Sequence, residues 1–95
     1  MQRKNNFIDW LTNNNLSPRT ASAYAGAINT ITKELKVKGI LEGSLYDISD
    51  PVIIEAFTIK YFSIPEYKAK NEKGNKMYSN SLAQYKRFTQ YNNSL

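Results

Sequence analysis

Residues 16–36, LSPRTASAYAGAINTITKELK, carry the clearest helix signal in the chain and point to its fold class. Ser17 can accept hydrogen bonds from the free N–H groups at a helix start, and Pro18 suits the first helical position, which needs no donor. After this start, apolar side chains recur at helical spacing at Tyr24, Ile28, Ile31 and Leu35. The stretch therefore predicts a long amphipathic helix that ends near Lys36.

Three further segments show the same periodicity, so the chain is predicted to be all-α. They are residues 3–13, a helix from a cap at Ser49 or Asp50 to just before Pro65, and residues 76–91. We expect the helices to share one core, since the apolar residues of each fall on a single face. Its predicted members are Tyr24, Ile28, Ile31, Ile54, Phe57, Leu82, Tyr85 and Phe88.

Two stretches leave alternatives open. Residues 57–64 are rich in β-branched and aromatic side chains, so a strand is the alternative to a helix there. Residues 66–76 are polar and mostly basic, and they predict either a short helix followed by a loop or a flexible loop. We expect a single domain over residues 1–95 with about four helices and a frayed tail at residues 92–95.

The composition of the 95 residues excludes several classes of site. The chain has no cysteine and no histidine, which rules out disulfides, thiolate zinc sites, cysteine nucleophiles and Ser-His-Asp triads within it. Its acids are scattered and it has no glycine-rich phosphate loop, so we expect no catalytic residue, metal, cofactor or small-molecule substrate. No apolar run approaches the roughly 18–20 residues of a membrane span, and we expect no membrane partner and a cytoplasmic location.

Positive charge is concentrated in the last third of the chain. The charges of residues 1–59 cancel, and residues 60–95 carry the whole net charge of +5. Such asymmetry indicates an anionic partner, nucleic acid first, although a solvated lysine-rich face is the simpler interpretation.

Phosphate binding needs flexible cations together with hydroxyl and amide donors. The last third offers both, and Arg19 and Thr20 add a second cluster at a helix start. With duplex DNA as the partner, the candidate contacts are Arg19, Thr20, Lys68, Lys70, Lys73, Asn75, Lys76, Ser79, Lys86 and Arg87. The alternative is a helical protein-interaction module, which would show scattered cations beside an exposed apolar patch.

The order of motifs resembles the N-terminal core-binding domain of tyrosine recombinases and phage integrases. The similar stretches are Phe7–Leu11, Leu16–Thr20, the helix start Ile48-Ser49-Asp50, and Ser81–Phe88. The resemblance covers almost the whole chain and implies a SAM-like bundle of four helices. It also implies a domain that clamps duplex DNA while a separate domain performs the chemistry.

The chain is also similar to a helical domain that precedes restriction-type nucleases, including His-Asn-His enzymes. This second resemblance lies in Leu45–Asp50, in Gly74–Ser79, and in the spacing of Leu82, Tyr85 and Phe88. It implies an accessory DNA-binding module that is covalently attached to a catalytic domain in a longer protein. No position matches the catalytic residues of either family.

We predict that the purified chain neither cuts nor joins DNA, with or without magnesium. The expectation rests on the missing histidine and on the absence of a convergent acidic or arginine cluster in the sequence. The measurement is an assay of nicking, cleavage and ligation on supercoiled and linear duplex. Cleavage that a point mutation in the chain abolishes would contradict it.

Overall fold

The computed structural model describes residues 2–94, which form an all-α domain. Its helices are α1 (Gln2–Asn13), α2 (Pro18–Val37), α3 (Pro51–Phe62), α4 (Pro65–Lys73) and α5 (Met77–Asn93), and a short 3₁₀ turn covers Leu45–Asp47. No strand occurs within residues 2–94. The predicted fold class is therefore confirmed, and the strand alternative at residues 57–64 is wrong.

The count of about four helices is too low, because the stretch after Pro65 forms α4. Pro65 ends α3 and begins α4, since proline disfavours a helical conformation in the residue before it and fits the first turn of the next helix. Tyr67 and Asn71 lie one turn apart and are both buried, so they hold this short polar helix against the rest of the domain.

Local hydrogen bonds begin two of the helices as the sequence predicts. The Ser17 side chain accepts a hydrogen bond from the Thr20 N–H at 3.2 Å. Asp50 accepts one from the Val52 N–H at 2.9 Å. A proline follows each of these caps in the first turn of its helix.

Helices α2 and α5 pack against each other at the centre, with α1 against α2 and α3 against α5. Six of the eight predicted core residues are buried, and Tyr24 and Phe57 are half-buried against the same cluster. The core also includes side chains that the prediction did not name, among them Leu45, Tyr46, Tyr61 and Tyr67.

Leu45 and Tyr46 of the 3₁₀ turn between α2 and α3 are buried, and α2 supplies hydrogen-bond partners for both. The Tyr46 hydroxyl donates to the carbonyl of Ala25 at 2.8 Å. The Leu45 N–H donates to the Thr32 hydroxyl oxygen at 3.2 Å. Burial raises the pKa of Tyr46 above its ordinary value, so its hydroxyl stays protonated as a donor.

Helices α5 and α1 hold the same turn from the other side. The Tyr85 hydroxyl lies 3.2 Å from the Leu45 carbonyl and 3.1 Å from that of Ile48. Arg3 donates to the Tyr46 carbonyl at 2.6 Å. Burial raises the pKa of Tyr85 to about 12, although the nearby Arg3 charge opposes the rise. The connection is thus tied to three helices.

The C-terminal residues continue α5 through Asn93, whose side-chain amide donates to the Ser49 carbonyl at 3.1 Å. Leu95, the last residue of the predicted frayed tail, lies outside the described residues. Within residues 2–94, no helix is long and apolar enough to cross a membrane.

Replacing Leu82 with alanine should lower the free energy of unfolding by about 2–5 kcal/mol, since its side chain is 1% exposed and its removal leaves a cavity. Val37→Ala is the matched control: Val37 is 83% exposed, and its truncation should change stability by less than about 0.5 kcal/mol. Chemical denaturation monitored by circular dichroism measures the stability of both variants. Equal effects of the two substitutions would contradict the assigned core.

Candidate nucleic-acid interface

The ten candidate contacts fall on four parts of the fold. Lys68, Lys70 and Lys73 lie on α4, and the turn after it carries Asn75 and Lys76. Helix α5 carries Ser79, Lys86 and Arg87, and the first turn of α2 carries Arg19 and Thr20. Whether each can reach a phosphate depends on what its side chain already contacts.

Lys70 points into the protein. Its ammonium group pairs with the Glu34 carboxylate of α2 and lies 4.6 Å from the centre of the Tyr78 ring and 5.4 Å from that of Tyr67. Both aromatic faces attract a cation. These contacts join α4 to α2 and α5, so Lys70 is engaged within the fold.

The carboxylate partner of Lys70 is shared with a buried tyrosine. The Tyr61 hydroxyl of α3 donates to the other Glu34 oxygen at 2.6 Å. Burial raises the pKa of Tyr61 well above its ordinary value, and this hydrogen bond is the next largest cause of the rise. Glu34 therefore connects α2 with α3 and α4, a role that its position in the sequence did not reveal.

Lys86 is also paired, with Glu55 of α3 at 2.8 Å. Its neighbour Arg87 is exposed, as expected for adjacent helical residues that point about 100° apart. Both line a cleft of about 280 Å³ between α3 and α5, together with Thr58, Ser79 and Gln90. Of the two cations in this cleft, Arg87 is the one without an ion pair among the described residues.

Ser79 serves chiefly to begin α5. Its N–H donates to the Asn71 side-chain oxygen at 3.0 Å, and its hydroxyl donates to the Lys76 carbonyl at 3.0 Å. The preceding Asn75 and Lys76 both have positive φ, at 56° and 62°, which turns the chain sharply between α4 and α5. The tight turn leaves both of these side chains exposed.

Thr20 has a similar structural role at the start of α2. Its hydroxyl accepts a hydrogen bond from the Ser17 hydroxyl at 3.0 Å, and its N–H donates to the same Ser17 oxygen. Arg19 beside it is exposed and makes no ion pair with the described residues. Arg19 is thus the stronger candidate of this pair.

Lys68 and Lys73 border one exposed side of α4. They line a shallow concavity of about 490 Å³ with Pro65, Ala69 and Glu72. Lys76 follows in the turn after the helix. We call Lys68, Lys73 and Lys76 the α4 basic surface. All three are exposed and have no ion pair within residues 2–94.

Ion pairing leaves most of the charge asymmetry of the last third in place. Glu66, one of its two acids, pairs with Lys38 at 2.8 Å, and the hydrogen bond to Glu66 raises the pKa of Lys38. The pairs seen within residues 2–94 leave Glu72 as the remaining acid of this third. Against it stand five unpaired cations, Lys60, Lys68, Lys73, Lys76 and Arg87.

Within residues 2–94, no three acidic side chains lie close enough together to hold a metal ion. No protein-family model matches the chain, and no significant match is found among curated proteins or solved structures. The assignment of function therefore depends on the surface just described.

Lys70→Met should destabilise the fold by about 1–3 kcal/mol, because it leaves the largely buried Glu34 carboxylate without its cation. Lys68→Met makes the same change of side chain at an exposed position of the same helix, and it should shift stability by less than about 0.5 kcal/mol. Thermal or chemical unfolding distinguishes the two variants. A larger loss from Lys68→Met would contradict the inward role of Lys70.

Proposed function

We propose that the chain is a non-catalytic DNA-binding domain that contacts the phosphates of duplex DNA. The observation that carries the proposal is the set of exposed, unpaired cations on the α4 basic surface. Flexible lysines of this kind neutralise phosphates and release counterions, which supplies most of the affinity in sequence-independent binding.

Arg87 is proposed as a further contact on α5. Its guanidinium group can form two parallel hydrogen bonds with a phosphate, and the α3–α5 cleft beside it contains the polar side chains of Thr58 and Gln90. Arg19 is a secondary contact at the start of α2. Lys70 and Lys86 are left out of the contact set because each already has a carboxylate partner.

The wider setting of the domain is part of the same proposal. The resemblances to recombinase core-binding domains and to the helical domain before restriction-type nucleases both imply a SAM-like arrangement and a catalytic domain elsewhere in a longer protein. The all-α class and the helix starts at Ser17 and Asp50 are compatible with that setting. Either family would use this domain to hold duplex DNA.

A protein-interaction module is the second candidate function. It is favoured by one specific observation, the exposure of Val52, Ile53 and Ile59 on the outer side of α3. This apolar surface lies on a different helix from the α4 basic surface. The two functions therefore predict binding through different residues and can be tested separately.

Binding to a random-sequence duplex should weaken with salt, and Lys68→Gln/Lys73→Gln should lower the salt slope by up to about 2. Each lost phosphate contact removes about one released counterion, whatever the DNA sequence. The measurement is fluorescence anisotropy with a labelled duplex over a series of salt concentrations.

Lys33→Gln/Lys36→Gln is the matched control, since both lysines are exposed on α2 and their loss changes the net charge equally. The control should leave the slope nearly unchanged. Equal slopes for the two double variants would contradict the α4 basic surface as the binding site. If the native chain fails to bind duplex even at low salt, the DNA-binding proposal is wrong and the protein-interaction function replaces it.

A further inference from the structure

Helix α3 is apolar on its outer side as well as on its inner side. Ile54 and Tyr61 face the core and are buried. On the outside, Val52 is 73% exposed, Ile53 44% and Ile59 66%. Exposed apolar residues clustered on one helix face mark an interaction surface more often than isolated ones do.

The outer face is arranged symmetrically around Ala56. At 100° per residue, Ile53 and Ile59 lie about 60° to either side of Ala56 and one turn before and after it. Val52 and Lys60 lie four residues before and after it. The smallest side chain is thus at the centre of the face, and larger side chains surround it.

Charges of opposite sign lie near the two ends of α3. Asp50 caps the start of α3 and is exposed, and Lys60 is exposed near its end. Glu55 is engaged by Lys86 of the same domain. A parallel pairing of two such helices would bring like charges together, whereas an antiparallel pairing brings Asp50 of one close to Lys60 of the other.

We propose that this face pairs with α3 of a second copy of the chain, antiparallel and about a two-fold axis at Ala56. This register places Val52 and Ile53 of each copy level with Ile59 and Lys60 of the other. Alanine at the crossing permits a helix separation near the lower end of the usual 8–10 Å. The face is self-complementary in shape, polarity and charge, as a symmetric dimer requires.

The dimer is weak and depends on concentration. A standard stable interface buries about 800 Å² of surface per partner, and one face of a twelve-residue helix buries less than that. Each copy also carries a net charge of +5, which opposes association at low salt. Added salt should therefore strengthen dimerisation while it weakens DNA binding, so the two proposals fail independently.

Disulfide trapping at the two-fold axis tests the pairing directly, because the native sequence has no cysteine. In the proposed dimer of Ala56→Cys, the Cα atoms of position 56 in the two copies lie within the separation of about 4.4–6.8 Å that a disulfide needs. Ala69→Cys is the control, since Ala69 is also an exposed helical alanine and lies on α4. Under mild oxidation, Ala56→Cys should form a covalent dimer at least about tenfold faster than Ala69→Cys, and more so at high salt. Equal rates would overturn the proposal.

A second substitution shows whether the face itself drives the cross-linking. Adding Ile59→Asp to Ala56→Cys should reduce the rate to that of Ala69→Cys, because the change places two carboxylates in an apolar contact. Adding Val37→Asp instead introduces the same charge at an exposed valine of α2 and should leave the rate unchanged. Ile59 and Val37 are both exposed, so both variants should keep the fold, which circular dichroism can check. Cross-linking of Ala56→Cys that persists with Ile59→Asp would overturn the antiparallel α3 pairing.

Discussion

The 3₁₀ turn at Leu45–Asp47, with Leu45 and Tyr46 buried, is the constraint on which the rest of the structure depends. A short connecting segment inside a small domain must find partners for its buried backbone groups, because an unpaired buried carbonyl or N–H costs free energy. Here Tyr85 of α5 hydrogen-bonds the carbonyls of Leu45 in the turn and of Ile48 just after it. The Tyr46 hydroxyl donates to α2, and Arg3 of α1 donates to the Tyr46 carbonyl. These hydrogen bonds fix how α1, α2 and α5 pack around the turn. They also position the chain just before α3, which packs against α5.

The fold also selects which charges face outward. The pairs of Lys70 with Glu34 and of Lys86 with Glu55 use two cations of the basic third to join helices. Of the exposed cations that remain in this third, Lys68 and Lys73 lie on α4 and Lys76 in the turn after it, whereas Arg87 lies on α5 and Lys60 on α3. The structure thus divides one basic stretch of sequence into residues that stabilise the bundle and residues that can meet an anionic partner. The apolar outer side of α3 is a separate surface with a different chemistry.

Local signals in the sequence predict the helix starts and most of the core, because a cap, a following proline and a helical period act within a few residues. The start of α2 at Ser17 and that of α3 at Asp50 are examples. Helix α4 could not be assigned in the same way, because its polar sequence is held by the long-range burial of Tyr67 and Asn71. The ion pair of Lys70 could not be predicted from the sequence either, since its partner Glu34 lies 36 residues away. Counting charges therefore located the basic region but could not separate its free cations from its paired ones.

Backbone amide NMR during titration with a short duplex at low salt shows most directly which surface binds DNA. The division of charges predicts the largest chemical-shift changes at Lys68, Lys73, Lys76 and Arg87, with small changes along the outer side of α3. The shifts should disappear as salt is added, because the contacts are to phosphates. Shifts centred on Val52, Ile53 and Ile59, or the absence of any shift at low salt, would contradict a DNA-binding role for the α4 basic surface.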